Sequence, residues 1–199
     1  MIFRFIDMKA LFLFIIFTFS VVIYSQTENS TKTLSDHAIE LIDEEVIYDP
    51  SYFSIDYPNG DVPEGKGVCT DVIIRVYRQM NIDLQKLVHE DMKANFKDYP
   101  QIWGLNTTDK NIDHRRVPNL MRFFKRMNTE LPITNNPDDY KPGDVVAWRL
   151  SNGMTHIGVV VDLKSSDGKR PLIVHNIGAG QVIEDCLFDF KIIGHYNYN

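Results

Sequence analysis

The sequence predicts an α+β fold in which N-terminal helices pack on a largely antiparallel sheet. Up to Leu131, apolar residues recur with the spacing of amphipathic helices. After Leu131, β-branched and aromatic runs alternate with turn sequences such as Ser166-Asp167-Gly168. Helices first and strands later are typical of this fold class. Residues 34–199 contain no internal repeat or compositional break, so we expect a single domain there.

The chain opens with an apolar segment. Residues 10–24 carry no charge, and they are fewer than the ~20 apolar residues that a membrane-spanning helix needs. Lys9 precedes this run and the small, polar Ser25 follows it, which is the layout of a cleavable secretory signal. We therefore expect residues 1–25 to be a signal peptide and residues 26–33 a linker. The body would then act in the periplasm or outside the cell and meet the membrane only during export, an uncleaved anchor being the alternative.

Four segments of the first half have apolar residues on one helical stripe. Ser35 is the expected cap of the first segment, and Pro118 suits the first turn of the fourth. The stretch rich in proline and glycine at residues 49–67 predicts an ordered loop. The predicted helices cover residues 34–42, 68–80, 84–96 and 118–127.

Four strands are predicted in the second half. Residues 163–170 are few enough to join the second and third strands as an antiparallel hairpin. The predicted strands cover residues 144–150, 156–162, 171–177 and 191–198.

The composition excludes several classes of protein. With 44% hydrophobic residues, 24% charged residues and a net charge of −6, the chain is not a disordered, collagen-like or disulfide-scaffold protein. Loss of residues 1–25 makes the body more acidic, because Arg4 and Lys9 leave with Asp7. An acidic body without a basic block argues against a general affinity for nucleic acid.

Cys69 is a candidate nucleophile. It follows Gly65-Lys66-Gly67-Val68 and opens the second predicted helix. A helix N-terminus lowers the pKa of a thiol and leaves backbone N–H groups free to bind an anion. The sequence therefore predicts a reactive Cys69 with a lowered pKa. Two alternatives stay open: a small core residue, because Cys69 lies on the apolar stripe, and a disulfide with Cys186.

The predicted hairpin supplies two histidines that could act as the base for this cysteine. His156 opens one strand, and His175 lies near the end of the other. If the numbers of paired residues sum to an odd value, both side chains project from the same face, whereas a slip of one residue separates them. Gly158 then shares that face and leaves space beside His156. The alternative for each histidine is a hydrogen-bonded residue without catalytic duty.

Positive charge is concentrated before the fourth helix, in His114, Arg115 and Arg116. Arginine forms bidentate pairs with carboxylates, so this cluster is a candidate for binding a carboxylate of the substrate. The alternative is a solvated or internally paired loop.

Longer motifs occur in order along residues 40–198. They include Tyr57-Pro-Asn-Gly-Asp-Val-Pro, Gly67-Val-Cys-Thr-Asp-Val-Ile-Ile-Arg, Asn111-Ile-Asp-His-Arg-Arg-Val-Pro-Asn-Leu, His156-Ile-Gly-Val-Val, Val174-His-Asn-Ile-Gly and Gly194-His-Tyr. Together these motifs resemble the YijF-like family, a bacterial domain of unknown function. That family is in turn similar to the NlpC-type papain-fold cysteine peptidases, which cut amide bonds in peptidoglycan stem peptides.

The NlpC resemblance implies roles for individual residues. In that pattern a cysteine begins the central helix, a histidine opens a His-Ile/Val-Gly strand, and a polar third residue follows on the next strand. Cys69, His156 and His175 match these places and would form the catalytic triad. A tyrosine upstream of the cysteine borders the oxyanion site, and Tyr57 is the match here. The sequence departs from the pattern where the usual Asp-Cys-Ser-Gly reads Val68-Cys69-Thr70-Asp71.

The resemblance therefore implies an exported hydrolase with a papain-like fold, which cleaves an amide bond in peptidoglycan or another peptide without a cofactor. Two other functions stay open. Cys69, His156 and His175 are also a possible ligand set for zinc, as in a zinc-dependent amidase. The third possibility is an envelope binding module whose site is catalytically inactive.

Overall fold

Four helices pack on a five-stranded antiparallel sheet in the computed structural model of the chain, which describes residues 32–43 and 45–198. The predicted α+β class is confirmed. The predicted signal peptide, residues 1–25, lies outside the described residues, as does most of the predicted linker. Within the described part of the chain, no helix is long and apolar enough to cross a membrane.

The four predicted helices are all present. The first begins at Leu34, but its N-cap is Thr33 and not Ser35 as expected: the Thr33 hydroxyl accepts the Asp36 N–H, and the Asp36 carboxylate accepts the Thr33 N–H. The Ser35 hydroxyl accepts the Asp162 N–H at 2.8 Å and so ties this helix to the sheet. The helices are α1 (Leu34–Glu40), α2 (Cys69–Gln79), α3 (Leu84–Ala94) and α4 (Val117–Arg126).

The sheet contains the four predicted strands and one that was not predicted. The strands are β3 (Val145–Arg149), β4 (Thr155–Lys164), β5 (Pro171–His175), β6 (Val182–Glu184) and β7 (Lys191–Tyr196). Their order across the sheet is β6-β5-β4-β3-β7, and every neighbouring pair is antiparallel. Two further strands of two residues each, β1 (Ile47–Tyr48) and β2 (Lys66–Gly67), pair in parallel outside this sheet. Strands this short carry no periodicity that a sequence pattern could reveal.

The β4–β5 hairpin has the register that the histidines require. Val159 pairs with Val174 and Val160 pairs with Ile173, so the paired numbers sum to an odd value. His156 and His175 therefore lie on the same face of the sheet.

The two faces of β4 have different neighbours. Residues such as Ile157 and Val159 join the main core, which all four helices share. Val160 on the other face joins a smaller cluster with Trp148 and Cys186, which the segment after β6 helps to cover. Since His156 alternates with Ile157 and pairs with Trp148, it lies on this second face, at the end of the sheet nearest the start of α2.

Candidate active site

Cys69 is the first residue of α2, as predicted. Val68 is the N-cap, and it has no polar side chain to cap the helix. Asp71 takes part of that role, because its carboxylate accepts the Val68 N–H at 2.7 Å. The sulfur lies close to the backbone N–H groups of Cys69 and Thr70 in the first turn and to that of Ile157 in β4.

The pKa of Cys69 is raised, not lowered. Burial is the largest cause, and it brings the pKa of Cys69 to about 12, with a smaller contribution from the charge of Asp71. The three backbone N–H groups act in the predicted direction and lower the pKa, but desolvation outweighs them. The prediction of a lowered pKa is therefore wrong for this structure, in which Cys69 is a neutral thiol.

The two histidines are joined by a hydrogen bond. His156 Nε2 and His175 Nδ1 are 2.7 Å apart, and His175 Nε2 is 2.9 Å from Glu184 Oε2. Glu184 pairs with Ile173 across the β5–β6 ladder, which sets it diagonally beside His175 on the same face. The result is a chain of three side chains, which we call the histidine relay: His156, His175 and Glu184.

The carboxylate determines how protons are placed along the histidine relay. Glu184 accepts only, so the proton of a neutral His175 is on Nε2 and its Nδ1 becomes an acceptor. His156 must then donate from Nε2 to His175, which leaves the lone pair of His156 on Nδ1. Nδ1 of His156 is thus the atom that can take up a proton.

Both histidines are held in their neutral forms by burial. Burial and the neighbouring His175 lower the pKa of His156 to about 3. Burial also lowers the pKa of His175, although the Glu184 carboxylate opposes the shift. Within the described residues, His156 bonds to His175 and not to the thiol of Cys69, so the resting site holds a neutral thiol beside a neutral imidazole.

Two clefts meet at Cys69. The smaller, of about 350 Å³, brings Cys69 and His156 into one wall, and we call it the histidine cleft. The larger, of about 550 Å³, also contains Cys69, and we call it the arginine cleft. The histidine cleft is lined by residues that include Tyr48, Cys69, Met154, His156 and Phe190. The arginine cleft is lined by residues that include Tyr48, Cys69, Trp103, Arg115, Arg116 and Arg149.

Tyr48 is the tyrosine at this site, and sequence reasoning missed it. The register of β1 with β2 sets Tyr48 opposite Gly67, just before the start of α2. Tyr48 lines both clefts. Burial raises the pKa of Tyr48, with smaller contributions from the charges of Cys69 and Asp71.

The structure places Tyr57 elsewhere, which corrects the prediction that it borders the oxyanion site. Its hydroxyl lies 3.5 Å from Glu90, its ring packs edge-on against His89, and it lines neither cleft. The cause is the loop after β1, which folds back onto α3: the Gly60 N–H donates to Gln85 Oε1 at 2.8 Å. The number of residues between a tyrosine and Cys69 in the sequence did not predict which tyrosine lies close to Cys69 in the fold.

The predicted basic cluster is divided by the structure. Arg115 is already paired, through two hydrogen bonds to Asp71 and one to the Ser51 carbonyl. His114 is buried, lines neither cleft, and has a pKa that burial lowers to about 3. Arg116 lines the arginine cleft, with its guanidinium 4.2 Å from the centre of the Trp103 ring.

Arg116 also carries an unused donor. Its Nη1 is buried and has no hydrogen-bond partner among the described residues. A buried donor without a partner is costly. The Arg116 side chain has no carboxylate partner among the described residues, so the rest of its guanidinium is available to a ligand in the cleft. Of the three predicted residues, Arg116 alone combines a position in the arginine cleft with an unused donor.

Cys186 is not bonded to Cys69, because both cysteines are free and buried. Its sulfur lies 3.8 Å from His175 Nε2, on the side of the histidine relay away from Cys69. The predicted zinc set of Cys69, His156 and His175 is not gathered either. Among the described residues, the potential ligand atoms that converge within 4.8 Å belong to His175, Glu184 and Cys186.

Residues 35–198 match the model of the family described as Domain of unknown function (DUF1287). The chain is 52% identical over 170 residues to a protein of Escherichia coli (strain K12) that bears the name Uncharacterized protein YijF, covering 85% of this chain and 82% of that one.

A solved structure is also similar. It is the crystal structure of a protein described as similar to lipoprotein, NLP/P60 family, from Staphylococcus aureus subsp. aureus Mu50. The TM-score is 0.38 and the sequence identity is 14%, over 92% of this chain. This chain spans about half of that one, 49% of its length.

Proposed function

The chain belongs to the DUF1287 family of domains of unknown function, and we propose that it is an exported cysteine hydrolase that cleaves an amide bond in peptidoglycan stem peptides. One observation carries this proposal. Cys69, at the first residue of a helix, shares a cleft with His156, and His156 is hydrogen-bonded to His175. A thiol, a base and a group that orients the base are what nucleophilic catalysis requires.

The first step is attack by the Cys69 sulfur on the amide carbon. Because burial keeps the thiol and the imidazole neutral, the proton passes from the sulfur to Nδ1 of His156 as the C–S bond forms. His156 then gives that proton to the leaving amine, and the C–N bond breaks. Water hydrolyses the thioester, losing a proton to His156 that returns to the sulfur as the C–S bond breaks.

The negative oxygen that forms during attack needs donors. The backbone N–H of Cys69 is in the first turn of α2, where helix N–H groups lack acceptors within the helix. The Tyr48 hydroxyl is the second donor, since Tyr48 lines both clefts beside the sulfur. Each donor of this kind commonly contributes about 3–4 kcal/mol to transition-state stabilisation.

The arginine cleft favours a substrate with a carboxylate near the scissile bond. Arg116 offers a guanidinium without a carboxylate partner among the described residues, and Arg149 lines the same cleft. A guanidinium stacked on an indole is a rigid partner for a carboxylate. Stem peptides combine amide bonds with free carboxylates, and the acidic body of the chain disfavours nucleic acid.

Export rests on the sequence of the first 25 residues, which have the layout of a secretory signal. A protein in the envelope meets peptide-crosslinked wall as its abundant amide substrate. The proposed partner is therefore peptidoglycan or another peptide, with the membrane involved only during export.

The experiment is incubation of the purified protein with purified peptidoglycan, followed by mass identification of released fragments. We expect products with a free amine and a free carboxylate at one bond type. Cys69→Ala and His156→Ala should each abolish their release while keeping the circular dichroism spectrum. His37→Ala is the matched histidine control, because His37 lies on α1 and lines neither cleft.

A second candidate function is an envelope binding module, and the neutral, buried Cys69 favours it. The same incubation separates the two. Binding to wall fragments without any product, in the wild type as in Cys69→Ala, would reject the hydrolase and support the binding module.

A further inference from the structure

Two members of the histidine relay, His175 and Glu184, also lie close to the buried Cys186. His175 Nε2 is 2.9 Å from Glu184 Oε2 and 3.8 Å from Cys186 Sγ. All three potential ligand atoms lie within 4.8 Å of one another. The proposed hydrolysis uses His175 through its other nitrogen and uses Cys186 not at all.

The spacing of these atoms suits a tetrahedral metal. Zinc binds sulfur at about 2.3 Å and nitrogen or carboxylate oxygen at about 2.0–2.2 Å. At a tetrahedral angle these lengths set sulfur and nitrogen about 3.6 Å apart, and nitrogen and oxygen about 3.4 Å apart. The two separations from His175 Nε2 therefore need to change by about half an ångström or less. The third, between Cys186 Sγ and the Glu184 carboxylate, is within 4.8 Å and must shorten where it exceeds about 3.6 Å.

The chemistry and surroundings of the group also favour a dication. Thiolate, imidazole and carboxylate are the ligands that zinc takes in proteins. Asp185 and Asp189 add negative charge near Cys186, and their charges act on that thiol together with the charge of Glu184. His175 and Cys186 are buried, whereas the Glu184 side chain is 48% exposed, so the group opens to solvent on one side.

We propose that His175, Glu184 and Cys186 bind a divalent metal of the zinc class, with water as a fourth ligand, and that the bound metal switches off the base at His156. The proposed metal site is supported by the geometry of the three side chains. The proposed switch rests on the proposed function, because it assumes that His156 takes the proton of Cys69.

Metal binding would change which ring nitrogens of His175 and His156 carry protons. A metal on His175 Nε2 displaces the proton there, so a neutral His175 carries its proton on Nδ1 and donates to His156 Nε2. His156 must then hold its own proton on Nδ1. Nδ1 is the atom that accepts the Cys69 proton in the proposed mechanism, so the base is blocked. The shared proton moves from His156 Nε2 to His175 Nδ1, and the proton of His175 Nε2 leaves to solvent. His156 Nδ1 takes up one proton from solvent, and the Cys186 thiol releases its proton to solvent on binding the metal.

The binding test uses the full chain, treated with chelator and titrated with zinc chloride against a chromophoric zinc indicator. We expect one equivalent of zinc, with affinity reduced at least tenfold in Glu184→Gln and in Cys186→Ser. Cys69→Ser should bind as the wild type does. If the buried Cys186→Ser variant fails to fold, the zinc affinity of Glu184→Gln still tests the site. No binding by the wild type overturns the proposal, as does loss of binding in Cys69→Ser with retention in Glu184→Gln.

The switch is tested by alkylation of Cys69 with iodoacetamide, resolved by peptide mass spectrometry. Zinc should slow the reaction of Cys69 at least tenfold in the wild type, and the ratio of rates with and without zinc should approach one in Glu184→Gln. An unchanged rate at saturating zinc overturns the switch. His156→Ala separates the two proposals: if it reacts as fast as the wild type, His156 is not the base, whatever zinc does.

Discussion

Arg115 and Asp71 form a buried bidentate ion pair that holds the start of α2. Arg115 Nε lies 2.9 Å from Asp71 Oδ1, and Arg115 Nη2 lies 3.0 Å from Asp71 Oδ2. The two side chains are only 2% and 4% exposed. The same carboxylate accepts the N–H of Val68, so this pair positions the residue that precedes Cys69.

Loss of this pair should destabilise the protein strongly. In Arg115→Met the Asp71 carboxylate stays buried without its partner, which commonly costs about 3–5 kcal/mol. Arg170→Met is the matched control, because Arg170 also forms two hydrogen bonds to one carboxylate, that of Asp185, but at the surface. Surface pairs contribute little to stability. The free energy of unfolding in urea, measured for both variants, makes the comparison.

Equal losses in Arg115→Met and Arg170→Met would contradict this account. A second check is Asp71→Asn in the Arg115→Met background. Removing the unpaired charge should recover part of the lost stability, because the amide is cheaper to bury than the carboxylate.

The sequence left open whether Arg115 binds a substrate or is paired internally, and it did not identify Asp71 as the partner. Asp71 and Arg115 are 44 positions apart in the sequence. No local pattern distinguishes an arginine that binds a substrate from one that is paired within the protein. Helix and strand positions were predictable because hydrophobic periodicity is local. Long-range polar pairing depends on how the elements pack, which periodicity does not encode.

The pKa of Cys69 also depends on packing that the local sequence does not encode. The helix N-terminus was readable from Gly67-Val68-Cys69, and its N–H groups do lower the pKa of the thiol. Burial, which raises it more, depends on the sheet that packs over the helix start. By contrast, the two histidines could be placed on one face from the sequence, because a hairpin has only two register classes.

Tyr48→Phe should reduce turnover and leave stability nearly unchanged. The ring remains, but the hydroxyl that would donate to the oxyanion is lost. Removing one such donor commonly lowers kcat by about 10²–10³-fold. The measurement is initial rates of fragment release from peptidoglycan at several substrate concentrations. The effect should be on kcat rather than KM, because the charge appears only in the transition state.

Tyr57→Phe is the matched control for Tyr48→Phe. The Tyr57 hydroxyl faces Glu90 on α3, away from both clefts. We expect turnover within about twofold of the wild type. A large loss in Tyr57→Phe with none in Tyr48→Phe would return the oxyanion role to the residue that the sequence pattern first indicated.

Gly158→Ala should separate the two strands that carry the histidines. A Cβ at Gly158 would lie 2.7 Å from Ile173 Cγ2, 3.0 Å from the Val174 carbonyl oxygen and 3.1 Å from His175 Cβ. The backbone of β5 must move to relieve these contacts, at about 1–3 kcal/mol of stability. His175 moves with it, so the bond to His156 lengthens and turnover should fall at least tenfold. Unchanged thermal stability together with unchanged turnover would show that the strands adapt without cost.

His195 predicts a stability that depends on pH. His195 Nε2 lies 2.8 Å from Asp144 Oδ2, and His195 Nδ1 lies 2.9 Å from the Pro132 carbonyl oxygen. Both partners are acceptors, so both ring nitrogens donate, which requires the protonated imidazolium. These hydrogen bonds and the Asp144 charge raise the pKa of His195, although burial opposes them.

The sign of the effect follows from this raised pKa. The unfolded chain has the ordinary histidine pKa of ~6.5, and the folded value is higher, so the imidazolium stabilises the fold fully below about pH 6.5. That contribution is lost as the pH rises through the folded pKa of His195. His195→Gln should therefore lose about 1.5–3 kcal/mol at pH 5.5, the usual range for hydrogen bonds to a charged group, and less at pH 9. Urea unfolding of the wild type and of His195→Gln between about pH 5.5 and 9 measures the difference in their free energies of unfolding. The other titrating groups are shared by both proteins, so their contributions cancel in this difference. Asp144→Asn should reduce the pH dependence of that difference, because the carboxylate charge is lost and only the Pro132 carbonyl still favours the imidazolium. A difference that stays constant in the wild-type background would mean that His195 is neutral in the folded protein.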